Sequence, residues 1–293
     1  MASPSSVIES TVPQAEDEWI RQSCGFYACP ACKQHLEPVH DGLSCRVCAR
    51  TYPIRSGIPD FIVVNLEESS NFSLHLVGKR DSGALLNLAA SVYETCVYPV
   101  VCNLYGGWRC TSLRKLAADI VDLVGSRDGV ILDAACGPGT YGRRIASASR
   151  TVLGIDICMS MLRRGAHYVE SGRIPNVHFA RATVEALPFR AGLFDAAICA
   201  GSMNHFSDTV LALREINRTM KAGAPLAVMC FAAGSGGLFK YRFMRERAEK
   251  RGGHIFELPD LDRYVTEAGF EGFSSHAYGS ILVFGARKRP AEH

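Results

Sequence analysis

Residues 130–142 read VILDAACGPGTYG and decide the fold. An apolar strand, a turn of small residues and the start of a helix follow one another, an arrangement in which backbone N–H groups can approach a ligand closely. The next apolar run, VLGID at 152–156, ends in Asp156. This acid follows the glycine loop by about twenty residues, the spacing at which a carboxylate meets a ribose diol. The two features together predict a nucleoside-binding site at the ends of neighbouring strands.

Short apolar runs alternate with helical stretches from residue 130 onward, which predicts βαβ units on a parallel sheet. Strands are predicted at 130–133, 151–156, 177–180, 196–200, 226–231 and 281–286. Helices are expected to begin near Thr140, Ser160, Asp208 and Asp260, with the two aspartates as N-caps.

The composition is that of a globular protein, with 293 residues of which 47% are hydrophobic and 21% charged. This balance excludes a disordered or fibrous chain. The 32 Lys and Arg against 29 Asp and Glu give a net charge of +3 without a polybasic tract, so charge identifies no partner. The sequence shows no signal peptide and no apolar segment of transmembrane length, and we expect a cytoplasmic protein.

Four of the twelve cysteines have paired spacing. Cys29 and Cys32 form one C-x2-C pair, Cys45 and Cys48 form another, and twelve residues separate the two pairs. Each pair can direct two thiolates at one tetrahedral ion, so we predict a closed, structural zinc site. An iron–sulfur centre and a chance cluster are the alternatives. The remaining cysteines are expected to be reduced thiols.

Further motifs give the second half of the chain a resemblance to a known family. These are SML at 160–162, ALPF at 186–189, FD at 194–195, LREINR at 213–218 and KAG at 221–223. With them, residues 130–285 resemble the class I S-adenosylmethionine-dependent methyltransferases, particularly the branch with quinone-biosynthesis enzymes. The resemblance implies an α/β, Rossmann-like fold with a seven-stranded, mostly parallel sheet, and S-adenosyl-L-methionine as cofactor. A dehydrogenase is the alternative for the loop and acid alone.

The cysteine-rich segment carries a second resemblance. With YPI at 52–54 and GIPDF at 57–61, it resembles the small zinc-ribbon proteins that partner tRNA and protein methyltransferases, and also the ribbon fused to many bacterial methyltransferases. We therefore expect a flexible tail at 1–23, a zinc ribbon at 24–64, a helical connector or cap at 65–125 and a methyltransferase domain at 126–293.

The resemblance also implies which residues bind the cofactor. The loop 135–139 would cradle the methionine part, Asp156 would hold the ribose, and Ile157 and Met161 would flank the adenine. The full predicted set is Tyr105, Asp133, Ala135, Cys136, Gly137, Gly139, Asp156, Ile157, Met161, Thr183, Val184 and Ala200. Ala135 replaces a usual glycine, and Thr183 replaces an acid that commonly accepts from the adenine amine. We expect binding to survive these two departures, with weaker affinity.

His205 is the candidate catalytic base. It lies in SMNHF at 202–206, after the fourth predicted strand, where the resemblance places a segment above the cofactor methyl. Histidine serves as a general base near neutral pH; the alternatives are that His205 only shapes the pocket and that Asn204 orients the substrate. Four aromatic residues either close over the sulfonium by cation–π contact or pack between helices: Tyr93, Tyr98, Tyr105 and Trp108.

A basic segment follows the fifth predicted strand. Residues 240–251 hold six Lys or Arg and two Glu, after the hinge-like run AGSGG at 233–237. The segment is interpreted as a substrate-facing lid or a contact for an anionic surface, with a solvated helix as the alternative.

The sequence predicts an enzyme that methylates a small aromatic or lipophilic metabolite at oxygen, nitrogen or carbon. An rRNA or tRNA base methyltransferase is one alternative, and a non-catalytic cofactor-binding scaffold is another. Residues 1–64 hold five Lys or Arg against seven Asp or Glu. A zinc tetrathiolate adds about two negative charges, so the ribbon is a poor phosphate binder and nucleic acid is not the expected partner.

Overall fold

The computed structural model describes residues 24–62, 100, 105–106, 113–125, 128–147, 150–233, 237–250 and 252–290. Tyr93, Tyr98, Trp108 and most of the predicted connector lie outside these residues, as does the predicted tail. The four segment boundaries therefore stay a prediction.

The cysteine-rich segment folds as a small antiparallel sheet. Its strands, in sheet order, are β1 (Glu37–Val39), β2 (Gly42–Ser44), β3 (Thr51–Arg55) and β4 (Ile58–Pro59). The buried side chains of Tyr27, Tyr52 and Phe61 join Phe189 and Phe194 of the larger domain in one hydrophobic cluster. A ribbon too small to bury a full core of its own thus shares the core of its neighbour.

Seven strands form the central mixed sheet. They are β5 (Gly129–Ala134), β6 (Arg150–Asp156), β7 (Val177–Arg181), β8 (Ala196–Ala200), β9 (Pro225–Phe231), β10 (Phe270–Tyr278) and β11 (Ile281–Lys288). Their order is β10-β11-β9-β8-β5-β6-β7; strands β5 to β9 run parallel, and β11 pairs antiparallel with both β9 and β10. Parallel strands buried on both faces read as continuous apolar runs, which is why these strands were predictable. The predicted fold class is confirmed.

Strand β10 has no counterpart among the six strands predicted from the apolar runs. Its residues are mostly exposed, and only Phe270 and Tyr278 at its two ends are buried. Its register with β11 shifts between Glu271 and Ser274, as at a β-bulge. An exposed, irregular edge strand lacks the alternating pattern that would reveal it.

Six α-helices are described from end to end: α1 (Leu113–Val124), α2 (Gly142–Ile145), α3 (Met159–Gly172), α4 (Thr209–Thr219), α5 (Arg242–Glu249) and α6 (Leu258–Glu267). Asp208 caps α4 as predicted, because its carboxylate accepts from the backbone N of Leu211 at 2.9 Å. The predicted cap at Asp260 is wrong, since α6 begins two residues earlier and Asp260 lies in its first turn. Among the helices of the described part, none is long and apolar enough to cross a membrane.

The site is positioned by the carboxyl ends of the parallel strands. After β5, the chain adds β6 and β7 on one side of β5 and then crosses over to add β8 on its other side. The direction in which strands are added therefore reverses between β5 and β8. At such a reversal the connecting loops diverge and leave a crevice that can hold a ligand.

Candidate cofactor and metal sites

The four paired cysteines meet at one point of the ribbon. Their sulfur atoms all lie within 4.8 Å of one another, with Cys29 and Cys48 3.5 Å apart and Cys32 and Cys45 3.4 Å apart. Thiolates bound tetrahedrally to zinc at about 2.3 Å stand roughly 3.8 Å apart, so this set fits the ion. A disulfide would need about 2.05 Å between sulfurs. The cluster is the structural zinc site that the spacing predicted.

Both cysteine pairs lie on the same kind of turn. The residue that follows each pair, Lys33 or Ala49, has a left-handed backbone, with φ of 61° and 58°. In the first turn, the backbone N of Lys33 donates to the carbonyl of Cys29 at 2.7 Å. The buried hydroxyl of Tyr52 lies 3.1 Å from the Cys29 sulfur and would donate to it as a zinc-bound thiolate. Such an outer contact orients a metal ligand.

The glycine loop follows β5 and takes an unusual backbone path. Ala135, Gly137 and Gly139 all have left-handed φ, at 53°, 54° and 71°. Glycine adopts this conformation without strain, whereas in alanine the Cβ crowds the backbone and destabilises the conformation by about 1–2 kcal/mol. The glycine that the family usually has at position 135 is therefore explained by the backbone, and Ala135 keeps the conformation at a cost.

The loop leaves room on its outer side and none on its inner side. A Cβ added at Gly139 would lie 2.9 Å from the ring of Phe179, which packs beneath the loop. A Cβ added at Gly137 would meet no atom within 4 Å. Gly137 thus borders open space at the carboxyl end of β5, as a close backbone approach to a ligand requires. On this observation the loop fits S-adenosylmethionine.

Asp156 ends β6 and faces the same loop. Its carboxylate accepts from the backbone N of Gly137 and of Cys158, both at 2.8 Å. A carboxylate has about four acceptor positions, so two remain for ribose hydroxyls. Burial raises the pKa of Asp156, and these backbone hydrogen bonds oppose the rise. The side chain is held ready at the place where the sequence predicts the ribose.

Asp133 braces the loop from inside, as the resemblance implied. Its carboxylate accepts from the backbone N of Gly142 at 3.0 Å and so ties β5 to the first turn of α2. The side chain is buried, and this burial raises the pKa of Asp133 to about 7. Asp133 points into the core of the loop and supports its shape.

The predicted adenine side is formed by the ends of β6 and β7. Ile157 follows Asp156, and Met161 lies in the first turn of α3. Thr183 and Val184 begin a short 3-10 helix after β7. There the Thr183 hydroxyl accepts from the backbone N of Glu185 at 3.1 Å and also contacts the Glu185 carboxylate.

Sequence reasoning missed Glu185. Its carboxylate joins the turn after β7 to the backbone N of Ser207, at 3.0 Å. Position 183 lacks the acid that the resemblance implies there, but Glu185 supplies a carboxylate two residues further along the chain. Its only signal in the sequence is the T-x-E pattern at 183–185, in which threonine accepts from the second residue after it.

The fourth parallel strand brings Ala200 and the segment 202–206 to the same edge. The Ser202 hydroxyl donates to the Ala135 carbonyl at 3.1 Å, which links this segment to the loop. The amide of Asn204 is buried and bonded to backbone groups of Phe231 and His254 at 2.6–2.7 Å. Asn204 therefore joins three chain segments, and the alternative that it orients a substrate is wrong.

His205 is exposed and lies beside the chain that follows α5. A Cβ added at Gly253 would lie 3.6 Å from its imidazole Cε1. The ring thus lies next to Gly253, four residues after the end of α5. Its role as a general base stays a prediction.

Tyr105 belongs to an aromatic cluster at the end of β9. Its ring stacks on Phe239 with centroids 5.1 Å apart and contacts Phe231 at 5.0 Å. The backbone carbonyl of Tyr105 accepts from the N of Ser280, which lies at the turn between β10 and β11. This places Tyr105 at the same edge of the sheet as Asp156 and the glycine loop.

A contact between the ribbon and the candidate cofactor site was not predicted. Arg181, at the end of β7, donates to the Ile157 carbonyl at 2.9 Å and to the Asp60 carboxylate at 3.2 Å. Asp60 lies directly after β4, and its backbone bridges that of Arg181. No local pattern reveals this contact, because 121 residues separate the two partners.

Comparison with known proteins gives two family matches. Residues 131–223 match the methyltransferase domain family, and residues 26–57 match the Trm112p-like protein family. The chain is 29% identical to a ubiquinone/menaquinone biosynthesis C-methyltransferase of Geobacter sp. over 59% of this chain and 71% of that protein. It is 36% identical to the protein of the same name from Syntrophotalea carbinolica over 43% of this chain and 50% of that protein.

Among solved structures, a Haemonchus contortus phosphoethanolamine N-methyltransferase in complex with S-adenosylhomocysteine is similar in fold. Its TM-score is 0.61 at 17% identity, over 74% of this chain and 61% of that one. The two family matches coincide with the glycine-loop sheet and with the four-cysteine ribbon. The chain therefore contains a class I S-adenosylmethionine-dependent methyltransferase domain, and a Trm112p-like zinc ribbon precedes that domain.

Proposed function

We propose that the protein transfers the methyl group of S-adenosylmethionine to a small aromatic or lipophilic acceptor, at oxygen, nitrogen or carbon. The observation that carries the proposal is the cluster of Tyr105, Phe231 and Phe239 at the carboxyl edge of the sheet. Aromatic lining is typical of small-molecule sites, whereas an RNA site needs a track of cations. The names of the two bacterial relatives, quinone-biosynthesis methyltransferases, agree with an aromatic, lipophilic acceptor.

In this proposal the cofactor lies across the ends of β5, β6 and β8. Asp156 binds the ribose, and the backbone of the loop binds the methionine part. The other proposed contacts are Tyr105, Ile157, Met161, Thr183, Val184 and Ala200, while Asp133 supports the loop from inside. The bound cofactor supplies an electrophilic methyl group on a sulfonium.

The protein's own part in the reaction is to position the acceptor and to exclude water. Methyl transfer needs an acceptor atom in line with the methyl group, at about 3–3.5 Å. Tyr105 and Phe231, which are only partly buried, can hold a flat acceptor, and an aromatic face above the sulfonium stabilises it by about 0.5–2 kcal/mol. His205 removes the proton from an acceptor that carries one.

Reduced thiols and a zinc ribbon fit a reducing compartment, so a cytoplasmic location belongs to this proposal. The expected partner is the small-molecule substrate.

Label transfer from methyl-labelled S-adenosylmethionine tests the acceptor class. A panel of phenols, quinols and amines is compared with rRNA and tRNA under the same conditions. We expect label in small acceptors only, and a Tyr105→Ala variant should raise KM for the acceptor more than for the cofactor. Label in RNA alone would support the RNA alternative, and binding of cofactor without transfer to any acceptor would support the scaffold.

The role of His205 is tested with two forms of one acceptor. His205→Ala should lower kcat by about 10²–10⁴ for an acceptor that must lose a proton, and should not affect a pre-ionised analogue. An equal loss with both forms would show that the residue only shapes the pocket.

A further inference from the structure

Helix α5 is the least packed helix of the described chain. None of its residues, Arg242–Glu249, is buried. Two neighbouring aromatic side chains project from its start, since Phe243 is 64% exposed and Tyr241 is 48% exposed. Their ring centroids are 5.8 Å apart, so they form one exposed aromatic pair.

The charges of this segment divide between paired and unpaired cations. Arg242 pairs with Glu246 at 2.8 Å, and Arg245 pairs with Glu257 at 2.7 Å. Within the described part of the chain, Arg247 and Lys250 have no acidic partner.

The two unpaired cations share one side of the helix with Phe243, whose ring contacts that of Tyr241. Phe243, Arg247 and Lys250 are spaced i, i+4 and i+7, and such residues share a helix face. We call Tyr241, Phe243, Arg247 and Lys250 the outer stripe. It combines exposed aromatic rings with uncompensated positive charge.

The outer stripe lies beside the proposed acceptor site. Immediately before the helix, the 3-10 turn Leu238–Lys240 inserts Phe239 into the aromatic cluster with Tyr105. Immediately after it, Gly253 lies next to the ring of His205. The segments on either side of the exposed helix thus lie next to Tyr105 and His205, two residues of the proposed site.

We propose that the outer stripe docks the protein on the surface of an anionic lipid bilayer. Aromatic rings beside Lys and Arg partition into the headgroup region, where an anionic leaflet adds roughly a five-fold gain in binding for each cation. Docking itself is independent of the proposed function. One consequence of docking, that a lipophilic acceptor enters the site from the bilayer, rests on the proposed function.

Co-sedimentation of the full chain with lipid vesicles tests the docking. Vesicles of phosphatidylcholine alone are compared with vesicles that also contain phosphatidylglycerol. The variant Arg247→Gln/Lys250→Gln removes the unpaired cations, and Arg214→Gln/Arg263→Gln removes the same charge from exposed sites on α4 and α6. We expect binding to the anionic vesicles that salt weakens, a loss of about 25-fold in the first variant, and less than two-fold in the control.

A third variant separates the aromatic contribution from charge. Phe243→Ser should weaken binding and leave its salt dependence unchanged. Equal binding to both kinds of vesicle, no binding to either, or equal losses in the two charge variants would overturn the proposal. Binding of RNA with no binding of vesicles would overturn it as well.

An activity measurement then distinguishes docking from the proposed reaction. With a lipophilic acceptor embedded in anionic vesicles, the methyl-transfer activity of Arg247→Gln/Lys250→Gln should fall by about the same factor as its vesicle binding. With a water-soluble analogue it should match the parent. Vesicle binding without methyl transfer would leave the docking proposal intact and refute the proposed function.

Discussion

Replacement of Asp60 by asparagine should weaken cofactor binding from a distance. The Asp60 side chain is 4% exposed and that of Arg181 is 11% exposed, so the pair is buried. Loss of one partner from a buried ion pair costs about 3–5 kcal/mol. Because Arg181 keeps its bond to the Ile157 carbonyl and asparagine keeps one acceptor oxygen, we expect a loss of about 2–3 kcal/mol in the free energy of unfolding.

The effect on the cofactor follows from the second bond of Arg181. That bond fixes the turn after Asp156, so a loosened guanidinium loosens the proposed ribose site. Coupling through packed networks is worth about 0.5–2 kcal/mol, which corresponds to a two- to thirty-fold loss of affinity. Calorimetric titration with S-adenosylhomocysteine measures the affinity, and urea unfolding measures the stability.

Lys33→Met provides the matched control. Lys33 joins the ribbon to Glu215 at 2.7 Å, is 34% exposed, and has no link to the turn after Asp156. Glu215 keeps its bonds to Arg218 and to the backbone N of Leu187. This variant should lose about 0.5–1 kcal/mol of stability and no cofactor affinity. If both variants lose affinity equally, or if Asp60→Asn loses stability alone, the coupling through Arg181 is refuted.

Three further changes test the sites directly. Cys45→Ser should abolish stoichiometric zinc in elemental analysis and expose the ribbon amides to hydrogen exchange first, since structural zinc supplies folding energy; full protection without metal would contradict this. Asp156→Ala should lower S-adenosylmethionine affinity by about 2–3 kcal/mol in calorimetry, because the ribose loses a charged acceptor; unchanged affinity would mean that the ribose lies elsewhere. Ala135→Gly should stabilise the protein by about 0.5–1 kcal/mol in urea unfolding, since relief of the left-handed strain outweighs the added freedom of the unfolded chain; a loss of stability would show that the Ala135 side chain is needed.

The parts of the fold that followed from the sequence are those with strong local signals. Parallel strands are long apolar runs, the cysteine pairs have a fixed spacing, and Asp208 precedes its helix as a cap. The start of α6 carries such a signal as well, because Pro259 marks a first helical turn and so places the cap before it and not at Asp260. Strand β10 had none, since its pairing with β11 decides its conformation.

The site divides in the same way. The loop and Asp156 are encoded within two adjacent strands, and the structure brings them within one hydrogen bond. The contact of Asp60 with Arg181 depends on how two domains pack, which local patterns do not report. Asn204 is the reverse case. Its place in the sequence suggests a substrate contact, but backbone groups of Phe231 and His254 occupy its side-chain amide.

The position of the ribbon also bears on how the methyltransferase domain would behave alone. Strand β7 ends the parallel side of the sheet, and the ribbon covers it there, with the backbone N of Phe61 donating to the Arg181 carbonyl at 2.8 Å. Without the ribbon, this strand would offer unpaired backbone groups beside the newly exposed ring of Phe189. Such an open, apolar edge recruits strands from other molecules. The methyltransferase domain expressed by itself should therefore aggregate, because the ribbon that covers the edge of β7 and prevents edge-to-edge association would be missing.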